Sequence, residues 1–436
     1  MSPPILGAAA VVVLFVLLFA RVPVWAALVL VGFVGNMGLS GFDSAFALLG
    51  TTPFDTASIY ALSVVPLFII AGGVASTTGL SADLFKAARV LLSGMRGGLS
   101  VATIVASACF GAVCGSSIAT AATMTRIALG EMRRADYADT VATGAIAAGG
   151  SLGILFPPSI ILVLYAAISE QSVPKLFAAG LLPGIVLMLL YILVAVVMAY
   201  VRQQDSPMAP SASMGERVRA LSKPWQFVSL FGVSIGGIYA GIFSPTEAAS
   251  VSVAGAVLLG AIGRRLDFRQ LRHTLIVGVR TSCSLFAIIM GANVFSSMMV
   301  QTQLPTLLAD AARSLALPGL AVMALVILAY IVMGCFLEGI GMILITVPVF
   351  LPLVKSFGYD PIWFAIIVVI VVEVGLIHPP VGMNLFVIQA QAPDVKIGSI
   401  YRGILPFLLA PLVLIVLLLL FPGLALWLPG VLYGAS

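Results

Sequence analysis

Long apolar runs separated by short polar loops set the pattern of the chain from end to end. Pro4 to Ala20, Val24 to Leu39, Ala57 to Thr78, Phe177 to Tyr200, Trp225 to Ala240, Thr246 to Ile262, Leu275 to Met299 and Ile404 to Leu420 each approach the roughly 20 residues a spanning helix needs. The first run lacks the basic flank and small-residue cleavage site of a signal peptide, and is expected to be a span. Gly41 to Thr56, with only Asp43 and Asp55, reads as an outer segment, and Gln301 to Leu317 as an outer surface segment.

Four apolar stretches are interrupted. Gly98 to Thr125 holds FGAVCGSS, Thr140 to Ile168 holds AAGGSLGILFPPS, Leu325 to Leu353 holds GCFLEGIG, and Ile362 to Ala390 holds EVGLIHPPVGMN. An unsatisfied backbone group in hydrocarbon costs several kcal/mol, so broken backbone at membrane depth belongs where it is buried in protein or lines a polar cavity. Proline removes a helical hydrogen bond and clashes with the preceding turn. Pro157-Pro158 and Pro379-Pro380 are therefore expected to separate half-helices, with the first break running from Gly149 to Pro158.

Charge fixes orientation. Taking the basic loops as cytoplasmic puts 17 of the 21 lysines and arginines on one side. Lys86, Arg89 and Arg96 precede Gly98 to Thr125, and Arg126, Arg133 and Arg134 follow it, so that stretch starts and ends on the same side as a re-entrant hairpin. The order span, glycine-tipped hairpin, Pro-Pro-broken span, span occurs at Ala57 to Tyr200 and again at Leu275 to Leu420. An odd number of crossings separates the copies, which makes the second inverted. The expected fold is an all-α polytopic membrane protein with inverted-topology repeats, two re-entrant hairpins (98–125 and 325–353) and two broken helices (140–168 and 362–390). Residues 1–56 supply N-terminal scaffold spans, 57–200 the first repeat, 201–274 basic loops and scaffold spans, 275–420 the second repeat, and 421–436 a C-terminal tail.

Composition narrows the function. With 61% hydrophobic and 8% charged residues among 436, and Arg202 to Lys223 as the longest polar stretch, no soluble domain can be separated. The net charge of +5 lies in loops between spans, a membrane-orientation signature and not a nucleic-acid patch. Cys109, Cys114, Cys283 and Cys335 fall in apolar runs without metal-ligand spacing and are expected to be reduced packing residues. Tyr60, Trp225 and Trp363 read as interfacial anchors, and Arg280 as a snorkelling side chain.

The interruptions carry the candidate chemistry. Gly115-Ser116-Ser117 with Gly149-Gly150-Ser151-Leu152-Gly153 offers carbonyls and hydroxyls to a hard cation, while half-helix N-termini favour a carboxylate. Small residues also serve close helix packing in membranes. Glu338 at the second tip and Glu373 before the second break are intramembrane carboxylates, each either a cation ligand or a hydrogen-bonding support. His378 is placed to bind substrate, cap a half-helix or titrate, and Asn384 to ligate or cap. Glu247 in SPTEAAS is expected to act in helix capping with Ser244 or Thr246. No triad, metal cluster or charged filter ring argues for an enzyme or a channel.

Taken together, GGLSVATIVASACFGAVCGSSIATAATM, AAGGSLGILFPPS, FAAGLLPG, SPTEAA, GCFLEGIGMILITVPVFLP and EVGLIHPPVGMNLFV resemble the large membrane subunit of tripartite ATP-independent periplasmic (TRAP) transporters. The resemblance covers almost the whole chain. It implies a sodium-driven importer of organic acids in a bacterial inner membrane, with an elevator movement of about Ala57 to Ile168 and Pro318 to Gln391. It also implies a small four-helix membrane subunit, a periplasmic substrate-binding protein and no cofactor beyond the coupling ion. Sodium sites carried over from the resemblance comprise Gly115, Ser116, Ser117, Gly150, Gly153 and Pro157 on one side. Gly334, Glu338, Gly339, Gly375, His378 and Met383 form the other. Ser116, Ser117, Ser159 and Asn384 are the expected substrate contacts. Many relatives carry Thr at the position of His378 and Asp at that of Glu338, which leaves the second cation site open. The alternative is a sodium/dicarboxylate symporter or cation antiporter that needs no binding protein.

Overall fold

The computed structural model describes residues 2–208, 210–334 and 337–434. Every secondary-structure element among them is helical, as the apolar periodicity requires where no water can satisfy a sheet edge. Helices α1 (Pro3–Phe19), α2 (Val24–Ser40) and α3 (Phe42–Ser58) open the chain, so the segment expected as an outer connection is a helix. A 3-10 turn at Tyr60–Ser63 leads into α4 (Val64–Thr77), followed by α5 (Leu80–Leu91), which buries Leu80, Leu84 and Phe85 and exposes Lys86 and Arg89.

The first interrupted pair folds as α6 (Gly98–Cys114) and α7 (Ser117–Met124), a π-helical turn at Thr125–Leu129, and α8 (Gly130–Arg134). Then come α9 (Asp139–Ser151), a 3-10 turn at Leu152–Ile154, and α10 (Ile160–Ser169), with α11 (Val173–Val201) returning. Gly149, Gly150 and Ser151 are helical, contrary to the expected break from Gly149. The gap lies between Ile154 and Ile160, and the Pro157-Pro158 bond within it is cis. The helix persists because its glycines are packing surfaces: a Cβ on Gly149 would sit 2.7 Å from Ser107 Oγ, and one on Gly150 2.9 Å from Ala121 Cβ.

Polar residues 202–223 contain α12 (Met214–Ser222), started by a Ser213/Glu216 capping box. After α13 (Trp225–Tyr239), Ser244 and Glu247 form the capping box of α14 (Pro245–Ile262), the structural role expected of Glu247. The long α15 (Phe268–Thr302) packs along α2, where Asn36 Nδ2 donates to Val294 O at 3.0 Å and its Oδ1 accepts from Gln301 Nε2 at 2.9 Å. Such side-chain hydrogen bonds hold helices together where lipid provides no hydrophobic drive. Cys283 on this helix is exposed, which corrects its reading as a packing residue; Cys114 is buried and Cys109 half-buried, while Cys335 lies outside the described residues.

After α16 (Leu304–Ser314), the second interrupted pair is α17 (Gly319–Gly334) and α18 (Gly339–Ser356), starting six residues before the expected Leu325. It continues as α19 (Pro361–Ile377), a cis Pro379-Pro380 bond, and α20 (Met383–Gln391). Every residue of α19 from Ile362 to Ile377 is buried, as befits a helix apolar all round. Trp363 is 1% exposed and donates from Nε1 to Leu418 O at 2.9 Å, so it is a core residue and not an interfacial anchor. Then α21 (Ile397–Ile404), α22 (Leu409–Leu420) and α23 (Gly423–Tyr433) close the chain, the last converting the expected tail into a helix packed on α11. Among the described residues six helices are long and apolar enough to cross a membrane, with eight shorter apolar ones beside them.

Candidate functional site

Two glycine crossings set the depth at which the backbone breaks. A Cβ on Gly111 of α6 would lie 2.5 Å from Gly153 Cα, just after α9, and one on Gly375 of α19 would lie 2.7 Å from Gly334 Cα at the end of α17. Only glycine on both sides permits these approaches. Four residues past each crossing helix's contact lie Gly115 and Glu338, the turning points of the two pairs.

Gly115 takes φ +61, and a side chain there would meet Pro158 O at 2.6 Å. Ser116 then caps α7, its Oγ accepting from Ala119 N at 3.3 Å, and Ser159 caps α10 in the same way from Leu162 N at 3.3 Å. Glu338 is the cap residue of α18, but its carboxylate makes no capping bond and is exposed. The tips meet around a cavity of about 60 Å³ lined by Gly115, Ser116, Ser117, Glu338 and Gly339.

The half-helices pair crosswise. α7 packs on α20, and α18 packs on α10, so four half-helix N-termini converge, each a partial positive charge with unsatisfied N–H groups. In the first turn of α20, fully buried Asn384 donates from Nδ2 to Ser117 Oγ at 2.5 Å. Its Oδ1 is buried without a hydrogen-bond partner. A lone carbonyl-type oxygen beside a hydroxyl and open backbone suits a hard cation, because a buried polar atom without a hydrogen-bond partner is costly to desolvate.

A larger cavity, about 560 Å³, extends from these tips between α7 on one side and α4 and α15 on the other. Ser116 and Glu338 line its deep end, and Thr77, Thr123, Arg126 and His273 belong to its walls. Its size suits a small organic molecule. Ser117, Ser159 and Asn384 do not line it: Ser159 is 1% exposed and engaged in its cap.

The expected residues thus divide. Gly115, Ser116, Ser117, Gly339 and Glu338 come together directly, with Gly153 close behind, since a Cβ there would lie 3.0 Å from Ser116 O. Gly150 packs α9 on α7, and Gly334 and Gly375 pack on each other. His378 caps the end of α19 half-buried, and Met383 is 39% exposed; neither lines the two cavities. Glu373 is fully buried with both carboxylate oxygens unpartnered. Arg126, which the sequence offered only as a loop charge, and His273, which it did not single out, are lining residues, because their facing positions come from helices about 150 residues apart.

Comparison with known proteins identifies the family and the fold. Residues 11–424 match the family model described as "Tripartite ATP-independent periplasmic transporter, DctM component". The C4-dicarboxylate TRAP transporter large permease protein of Pseudomonas aeruginosa is 34% identical over 91% of this chain and 94% of its own length. The sialic acid large permease of Vibrio cholerae is 31% identical over 96% and 97% respectively. The ectoine large permease of Halomonas elongata is 33% identical over 84% and 86%. Among solved structures, the YdaH transporter of Alcanivorax borkumensis shares the fold with a TM-score of 0.65 at 16% identity, covering 89% of this chain and 90% of that one. These relatives are transporters and not enzymes. The chain belongs to the DctM component family, the large permeases of tripartite ATP-independent periplasmic transporters.

Proposed function

We propose that this chain is the permease of a sodium-coupled importer of organic acids, receiving substrate from a separate periplasmic binding protein and working beside a small membrane subunit in a bacterial inner membrane. The observation that carries the coupling is the orphaned Oδ1 of buried Asn384 next to Ser117. On this reading Asn384 supports the cation instead of the substrate. Gly115, Ser116, Ser117 and Gly153 surround the same point, with Gly150 and Pro157 shaping it. The second cation position falls at Glu338 and Gly339, with Gly334 and Gly375 holding the tip in place and His378 and Met383 at its margin.

Substrate occupies the deep end of the large cavity, its carboxylate against Ser116 and the converging N-termini. Helices α4 to α10 and α17 to α20 move as an inverted pair of repeats against α2, α14 and α15. Basic residues of 264–272 mark the cavity's cytoplasmic end, so this state releases inward. Sodium couples to transport only by binding the substrate-loaded state better, as in any linked equilibrium.

Reconstitution into liposomes with a small subunit and a binding protein, under an inward sodium gradient, tests the reading by uptake of labelled organic acids. Uptake without the gradient removes the coupling, and uptake by this chain alone favours the binding-protein-independent symporter.

A further inference from the structure

At its basic end the large cavity has two cationic or hydrogen-bonding side chains facing it from opposite walls. Arg126 comes from the return arm of the first hairpin and His273 from α15. Arg126 lies about 15 Å along the helix from Ser116, at 1.5 Å per residue. It makes only neutral contacts, with Thr123 Oγ1 at 3.3 Å and Gln391 Oε1 at 3.4 Å, and no carboxylate pairs with it among the described residues. Other arginines nearby, Arg89, Arg133 and Arg134, are all ion-paired.

A second observation singles out the same place. The return arm leaves α-helical geometry at Thr125–Leu129, the π-helical turn that contains Arg126. Such turns re-aim side chains and occur often at functional positions. Thr77 and Thr123 add hydroxyls to the cavity walls, Thr123 in contact with the guanidinium.

We propose that Arg126 and His273, with Thr77 and Thr123, form a second carboxylate-binding position that holds the substrate's anionic group on its way to the cytoplasm. The inference rests on the cavity being the release route. Because one wall belongs to the hairpin and the other to α15, the position exists only while these two face each other. It is complete in the inward-releasing state and divided when the hairpin moves away. A carboxylate passing from the serine-lined tip is thus received by a guanidinium before it meets water.

The test uses the full chain in nanodiscs, with the native cysteines replaced and Ser76→Cys introduced at a neighbouring lining position. The probes are an anionic sulfonatoethyl and a cationic trimethylammonioethyl methanethiosulfonate. With Arg126 present the anionic reagent is favoured, and R126Q lowers the anionic-to-cationic rate ratio about tenfold, the scale of a nearby unit charge. R126K keeps most of the ratio, which separates charge from a structural role. Succinate protects Ser76→Cys from both reagents, its dimethyl ester does not, and R126Q or H273Q abolishes the protection. An unchanged ratio in R126Q, or succinate protection that survives both variants, overturns the proposal. None of these readouts needs transport, so their failure leaves the sodium-driven uptake assay to judge the proposed function separately.

Discussion

Asn384 and Ser117, 267 residues apart, meet side chain to side chain at 2.5 Å, tying the first turn of α20 to the first turn of α7. Removing one partner of a buried hydrogen bond strands the other at a cost of about 1–3 kcal/mol. Ser117→Ala is expected to raise the sodium concentration for half-maximal uptake about tenfold, and combining it with Ser116→Ala to raise it further. Sodium titrations of uptake by the reconstituted transporter measure this. Normal expression with an unchanged sodium dependence would reassign the serines to packing.

The crossing of Gly334 and Gly375 makes a steric prediction. Gly375→Ala sets a methyl 2.7 Å from Gly334 Cα, against backbone that has no room to yield, whereas Gly130→Ala meets nothing within 4 Å. Overpacking of this kind costs about 1–3 kcal/mol. Thermal unfolding in detergent should show a melting temperature several degrees lower for Gly375→Ala and near-wild-type for Gly130→Ala. Equal melting temperatures would mean that the two helices can slide apart freely.

Glu373 presents the opposite case. Both its oxygens are buried without partners, so Glu373→Met, which keeps the volume and removes the polar atoms, is expected to raise the melting temperature by a few degrees. Uptake measured on the same preparation decides what the carboxylate is for. A stabilised but inactive variant assigns it to transport, and a stabilised active one leaves it dispensable. A destabilised variant contradicts the structural account.

Arg133 holds Asp139 at 2.7 Å and Asp394 at 2.6 Å, linking α8 and α9 to the end of α20. The hydrogen bond from Arg133 keeps the Asp394 carboxyl below its ordinary value of 3.8. A depressed carboxyl stabilises the fold fully above its unfolded value and loses that contribution as pH falls through the folded one. Asp394→Asn should therefore lower the melting temperature slightly at neutral pH, the contribution being small because the group is exposed, and flatten the acid limb so that variant and wild type converge as pH falls below about 4. An identical acid limb in wild type and variant would dissolve the link.

Local punctuation was readable along the chain and long-range pairing was not. Gly115, Glu338 and the two Pro-Pro pairs mark the breaks because backbone conformation and the missing proline N–H are local properties. Gly149 and Gly150 look like the same signal, yet serve close packing against Ser107 and Ala121, which only the folded neighbours reveal. Trp363 resembles an interfacial anchor until Leu418 supplies a buried acceptor from 55 residues away. Arg126 counted only as a topology marker and His273 drew no reading at all, since nothing within either segment tells which side chains the fold will set across a cavity from each other.

The length of α15 has a mechanical consequence. Its 35 residues extend about 52 Å, against a hydrocarbon core of about 30 Å, so the helix must lie steeply oblique or emerge well beyond the lipid. A beam of that kind couples protein geometry to bilayer thickness. Changing acyl-chain length would tilt α15, the wall of the large cavity, and on the proposed movement the turnover of the reconstituted carrier should pass through an optimum as the lipids lengthen.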